Sequence, residues 1–160
     1  MAVKTLKKAT DAENLKTNEK KWTKSLMAAG WNVVPNIIIE KQAALGLDAL
    51  DMNIVLHLSH YWWQHDNAPH PSVATIAKAI QVTPRTIQKR IAALEKLGFI
   101  TREERRYTKN GSVTNRYHFD GLIEAAKPYA AEKVREIEDA TEAKRRRLAR
   151  KKPVLIVSNG

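Results

Sequence analysis

Cysteine is missing altogether, which removes disulfides, thiolate catalysis and every cysteine-based zinc site. Long apolar runs are missing as well. No stretch approaches the roughly eighteen apolar residues of a membrane helix, so no membrane association is expected. The opening residues, MAVKTLKKAT, carry charge with no apolar run behind them. Neither a signal nor a transit peptide is expected, and the expected place is the bacterial cytoplasm, at the nucleoid. Acid is scarce beside base: 17 Asp and Glu stand against 28 Lys and Arg, a net charge of +11. A surplus of that size points to a polyanion as partner. The 160 residues suffice for one ordinary domain with an appendage.

The charge is not spread evenly. Residues 1–24 carry +4, 25–84 carry −2, 85–118 carry +6, 119–143 carry −4 and 144–152 carry +7. Three basic blocks separated by mildly acidic ones write a focused potential instead of a uniform coat, as a nucleic-acid surface does. No basic amphipathic helix with a Trp, Phe and Leu face is evident, which argues against a membrane surface.

Residues 1–30 read as a basic, partly helical extension. In GWNVVPNIIIEKQAALGLD, Pro35 demotes a strand-like run, leaving a short extended entry and a helical turn into Gly46. Asp48 to Gln64 is expected to be a helix, capped by Asp48 with Asp51 three residues on. Leu50, Ile54, Val55, Leu58, Tyr61 and Trp62 form its apolar stripe. NAPHP ends it. Ser72 then caps a short helix, Val73 to Ile80, and Thr83-Pro84 opens a longer one, with a Thr cap followed by Pro at the first helical position. That helix runs to about Leu97 and stops at Gly98. Ile87, Ile91, Leu94 and Leu97 define its buried face. Arg85, Thr86, Lys89 and Lys96 fall away from it, with Gln88 at the edge.

After Gly98 the period becomes two. Phe99 to Arg106 and Val113 to Phe119 are strand-like, joined across Lys109-Asn110-Gly111, and Asn-Gly is a strong hairpin signal. From Gly121 a helix is expected, interrupted at Pro128 and continuing from Tyr129 to about Arg150. Its later part is too polar for core and reads as a solvated helix, a weak dimer seam, or both.

Helix, short helix, tight turn, longer helix and two-stranded ribbon is the order of a winged helix-turn-helix. The fold class is therefore mainly α with a small β-hairpin wing, extended by helices at both ends. Ser72 to Ile100, SVATIAKAIQVTPRTIQKRIAALEKLGFI, and the hairpin with KNG at its tip resemble bacterial winged-helix DNA-binding proteins. These include transcription regulators and the DNA-reading domains of plasmid and phage replication proteins. One departure is Gln81, where glycine is usual at the turn.

The resemblance and helical geometry together place DNA reading on the early part of the long helix. Arg85 and Lys89 are expected at guanine edges and Gln88 at adenine, with Thr86 at a thymine methyl or a phosphate. Ser72 and Thr83, at helix N-termini, are expected phosphate partners. In the wing, a two-residue Asn110-Gly111 turn would set Arg105 opposite Arg116. Like charges so placed destabilise a ribbon unless an anion sits nearby, or unless Glu103 relieves them. Arg106 and Lys109 would flank that phosphate site.

His57 and His60, with His65, Asp66 and His70 following, have spacings that metal sites use. They lie on or beside a largely buried helix, however, and are read as core or boundary groups, so neither a metal nor any other cofactor is expected. Tyr61-Trp62-Trp63 in a row cannot all face one core, and Trp22 and Trp31 are candidates to fold back against them. Residues 31–122 are expected to form the winged-helix domain, 123–152 a charged C-terminal helix and 153–160, PVLIVSNG, an apolar tail.

The expected function is sequence-specific binding of double-stranded DNA without catalysis, by a homodimer acting as a transcriptional regulator, first of all a repressor. Replication initiation or maintenance in a plasmid or phage is the alternative, and a winged-helix module for protein contacts is the third. Nothing in the sequence names a small-molecule effector.

Overall fold

In the computed structural model, residues 10–108 and 111–150 are described, with the backbone alone at 106–108, 111, 112 and 150. Lys109, the tail after Arg150 and the first nine residues lie outside them. The elements in order are α1 (Asp11–Trp22), α2 (Lys24–Ala28), α3 (Asn36–Glu40), α4 (Ala49–His60), α5 (Val73–Ile80), α6 (Pro84–Lys96), β1 (Thr101–Thr108), β2 (Gly111–His118) and α7 (Asp120–Arg150). The strands form a two-stranded antiparallel ribbon. The result is a winged helix-turn-helix with helical extensions.

The local rules that shape these helices are visible at their ends. Asp48 accepts from the N–H groups of Leu50 and Asp51, both at 2.9 Å, while Asp51 accepts from the Asp48 N–H at 3.1 Å, closing a capping box. Ser72 and Thr83 each accept from the N–H three residues on, at 3.0 and 3.2 Å. Pro84 sits at the start of α6, where its missing N–H leaves no bond unmade.

One core joins α3 to α7. Ile54, Leu58, Ile76, Ile87, Ile91, Leu94, Tyr117 and Leu122 are its most enclosed large side chains. α5 and α6 pack on α4 from one side, and the wing closes the other through Tyr117 and Phe119. Burying one such aliphatic side chain contributes about 1.5–3 kcal/mol. The Tyr117 N–H donates to the Pro69 carbonyl at 2.9 Å, and burial pushes its phenol above the ordinary value.

Several expectations need correction. α4 stops at His60, four residues short of Gln64; Tyr61 and Trp62 tighten the end by donating to carbonyls of Leu58 and Ser59, and Gln64 bridges to Asn67. Leu97 is 55% exposed because α6 ends there and the chain turns at Gly98, whose φ is +77°. α7 continues through Pro128 without interruption. It is held on both sides of that residue, by Leu122 and Ala126 in the core and by Lys133 paired with Glu40 of α3. Tyr129 also lies under the Lys41 ammonium, 5.7 Å from the ring centroid.

The aromatic row divides as its length requires. Trp62 stacks on Phe119 with ring centroids 5.6 Å apart, while Tyr61 and Trp63 remain exposed. Trp22 and Trp31 do not close over this row. They line a separate groove with Leu26 and Met27, and Gly30 of that groove lies beside the Trp63 ring.

Candidate nucleic-acid interface

The helix-turn-helix is built around Gln81. This residue takes the left-handed conformation, φ +61° and ψ +45°, that glycine usually supplies at such a turn. The Val82 N–H donates to the Ala77 carbonyl at 3.1 Å across it. Ile76 and Ala77 of α5 are buried against α6, and Ala77 has no bulk to hold the two helices apart.

On α6 the inward face is Ile87, Ile91 and Leu94. The outward face carries Arg85, Gln88 and Lys89, all exposed, with Thr86 half-buried beside them. Neither Arg85 nor Lys89 has an ion-pair partner among the described residues. The expected base-reading residues thus share one free flank. Ser72 and Thr83 sit at the N-termini of α5 and α6, but their hydroxyls already serve as caps and contact Thr75 and Thr86 at 2.8 and 2.9 Å. A shallow cleft lined by Ser72, Val73, Thr114 and Asn115 brings the start of α5 beside the wing.

Arg90, one residue past the cationic flank, does something the sequence did not suggest. Its guanidinium donates to Asp48 at 2.6 Å and lies 3.4 Å from Asp51, so α6 is clamped to the capping box of α4. The pairing spans some forty residues and leaves no local signal. The Asp48 carboxyl is held below its ordinary value, chiefly by the Asp51 N–H and further by Arg90. Its folded value being depressed, the contribution is complete above the ordinary carboxylate value and is lost as pH falls through the depressed one. Arg90→Ala is expected to destabilise the domain by about 1 kcal/mol, since Arg90 and Asp48 are partly exposed but Asp51 would stay buried without its cation. Urea unfolding at neutral pH checks this; an unchanged midpoint would show the clamp to be idle.

The wing corrects the expected register. Arg116 pairs with Glu103, not Arg105, and Arg105 pairs with Val113. The ribbon closes at Thr108–Gly111, which already sets the pairing two residues from a regular Asn-Gly hairpin, and the two register shifts along it cancel. Arg105 turns onto its neighbour strand, donating to the Thr114 carbonyl at 2.8 Å and its hydroxyl at 3.1 Å. Arg116 and His118 flank Glu103 at 3.4 and 3.0 Å. Glu103 therefore removes the like-charge conflict, and its carboxyl is held low by the His118 hydrogen bond first and the Arg116 charge after it. One Arg116 nitrogen, Nε, is buried with no hydrogen-bond partner among the described residues. On the far side of the ribbon Arg102 reaches Glu95 of α6 at 3.2 Å, tying wing to α6. Arg106 belongs to β1, but its side chain, like all of Lys109, lies outside the described residues.

Among the described residues no three His, Asp or Glu side chains cluster as metal ligands would. His60 is exposed, its ring edge-on to Tyr61 at 4.9 Å. No helix of the described residues is long and apolar enough to cross a membrane.

Element order, turn and wing define a winged helix-turn-helix protein of the kind that bacterial DNA-binding proteins use. Residues 45–100 match the model of a helix-turn-helix domain family, the span from the loop before α4 to the start of the wing. The N-terminal domain of the DnaD protein from Geobacillus kaustophilus HTA426 is similar in fold, with a TM-score of 0.52 and 18% identity over 76% of this chain and 98% of that one. A possible transcriptional regulator from Methanosarcina mazei Go1 superposes more loosely, at a TM-score of 0.38 and 15% identity over 65% and 85% of the two chains. The multiple antibiotic-resistance repressor MarR from Listeria monocytogenes 4b F2365 gives 0.37 and 19% over 89% and 97%. Among curated proteins, none matches the sequence significantly.

Proposed function

We propose that this is a sequence-specific double-stranded-DNA-binding protein, acting without catalysis as a homodimeric transcriptional regulator in the cytoplasm, in the simplest case a repressor that occupies a promoter. The observation that carries the reading is the free cationic flank of α6. Arg85, Gln88 and Lys89 project from a helix whose opposite side is locked by Ile87, Ile91 and Leu94. Such a rod enters a major groove with its donors at base edges. Thr86, Ser72 and Thr83 would meet the adjoining backbone through hydroxyls and N–H groups. The wing would add Arg105, Arg106, Lys109 and Arg116 as sequence-indifferent phosphate contacts.

A second reading has the same domain hold an origin repeat in a replication or maintenance protein of a plasmid or phage. It is favoured by α1, a helix with no buried residue that ends in exposed Trp22, a surface suited to an assembly partner. Selecting bound fragments from random and genomic DNA separates the two. A regulator is expected to enrich a pseudo-palindrome upstream of its own gene, and an initiator tandem repeats. Absence of any enriched sequence would reject helix-based reading altogether.

The corrected register yields a further expectation. Glu103 neutralises part of the wing's charge, so Glu103→Gln frees Arg116 for phosphate. Affinity should rise a few-fold for every duplex alike. The slope of log affinity against log salt should steepen by about 0.9 for each additional phosphate neutralised. Fluorescence anisotropy over a salt series reads both. A slope that does not change would show that the wing leaves the backbone untouched.

A further inference from the structure

The distal part of α7 presents an apolar stripe to solvent. Every side chain from Val134 to Ala149 is exposed, and Val134, Ile137 and Leu148 are each more than half so, at 53, 56 and 54%. With Ala130, Thr141 and Lys144 they recur at alternating steps of four and three residues. That 3.5-residue spacing is what keeps one stripe turned toward a partner helix. At 3.6 residues per turn the six positions fall within a sector of about 80°.

Charge decides what the partner is. The first half of this stretch carries Glu132, Glu136, Glu138, Asp139 and Glu142 against Lys133 and Arg135, a net −3, and the second half carries Lys144, Arg145, Arg146, Arg147 and Arg150, a net +5. A parallel second copy would lay arginine against arginine and acid against acid. An antiparallel one lays each half on its opposite, and that match is self-complementary, as a two-fold interface requires.

We propose that two copies of the chain pair through α7 in antiparallel orientation, with Ile137 of each facing Leu148 of the other and Glu138 of each beside Arg145 of the other. In this register Lys144 faces Thr141 of the second copy, a polar step that penalises slippage along the seam. Glu138 and Arg145 flank the stripe on the same side, and neither has an ion-pair partner among the described residues. Glu142 and Arg146, which do pair within the helix at 3.0 Å, lie off the stripe. The seam is short beside the roughly 800 Å² per partner of a standard interface, so the pair is expected to be weak and reversible. The proposal rests on the homodimer reading and not on the reading of DNA sequence.

Because the chain has no cysteine, engineered thiols report without background. Ile137→Cys and Leu148→Cys proteins, mixed and oxidised without DNA, should give the mixed disulfide. Neither should link to itself, since eleven helical residues place like positions about 16 Å apart along the axis. Glu138→Arg and Arg145→Glu should each weaken dimerisation several-fold in sedimentation velocity, and the double variant should restore it. All four positions are exposed on a helix, and circular dichroism confirms that the fold survives. Self-linked Ile137→Cys and Leu148→Cys would mean a parallel pair and overturn the proposal. So would a monomer at about 100 µM, the result expected if DNA phosphates alone take the basic block. A monomer that still selects its DNA sequence overturns the seam and leaves the DNA reading standing. A cross-linked dimer that selects no sequence does the reverse.

Discussion

Replacing Arg85 and Lys89 together by alanine is expected to lower affinity for the preferred duplex about a hundred-fold while leaving the protein folded. A bidentate hydrogen-bonded pair at a base edge contributes roughly 1–3 kcal/mol of discrimination, so removing two at about 1.5 kcal/mol each amounts to that factor. Both side chains are exposed and outside the core, so thermal stability should change by less than about 0.5 kcal/mol. The diagnostic quantity is the ratio between preferred and scrambled duplexes, measured by anisotropy at two salt concentrations. Base-reading residues make that ratio collapse, because the scrambled duplex loses only the long-range attraction of two charges. If both duplexes weaken equally and the salt slope shallows by about 0.9 per phosphate released, Arg85 and Lys89 sit on phosphates. If neither weakens, α6 does not enter the groove.

Local rules carried much of this fold. Asp48, Ser72 and Thr83 are capping residues whose hydrogen bonds reach only two or three residues along, so their effect is readable without knowing the rest of the chain. The alternation around Tyr117 and Phe119, and the period of Ile87, Ile91 and Leu94, likewise belong to one element at a time. Where expectation and structure part, the deciding partner was distant or the backbone departed from its regular form. Leu97 fits the helical period, but the chain leaves the helix at Gly98 before the period can bury it. Pro128 should break a helix on local grounds. It does not break α7, since Leu122 and Ala126 fasten one side and Glu40, far back in the sequence, fastens the other. The wing register rested on one idealised turn, and the ribbon's closure at Thr108–Gly111 in place of that turn brought Glu103 to Arg116. At the candidate site the outward set of α6 followed from helical spacing. The Arg90 clamp did not, because an arginine beside a buried face looks the same whether it meets solvent or a capping box.

Gly121→Ala is expected to destabilise the protein by about 3 kcal/mol, lowering the melting temperature by roughly 10 °C. The first turn of α7 lies against the turn that ends α6. The Leu122 N–H donates to the Phe99 carbonyl at 3.0 Å, and that of Ile123 to the Phe119 carbonyl at 2.9 Å. A methyl group at Gly121 would fall 1.6 Å from the Gly98 carbonyl oxygen and 2.8 Å from its carbon. Both obstacles are backbone, so no rotamer change relieves them, and the strain far exceeds the roughly 1 kcal/mol by which alanine is favoured over glycine in a helix. Gly46→Ala is the control. Gly46 also has a positive φ, +72°, but the space where a Cβ would stand is open, so only the left-handed backbone is penalised, by about 1–2 kcal/mol. Thermal unfolding of the two variants side by side separates clash from strain, and equal losses would mean that α7 does not abut Gly98. Binding measured well below the melting temperature should fall for Gly121→Ala alone. Gly98 follows α6 and Phe99 leads into the wing, so wedging α7 away from this turn changes the angle between the two parts proposed to meet the duplex.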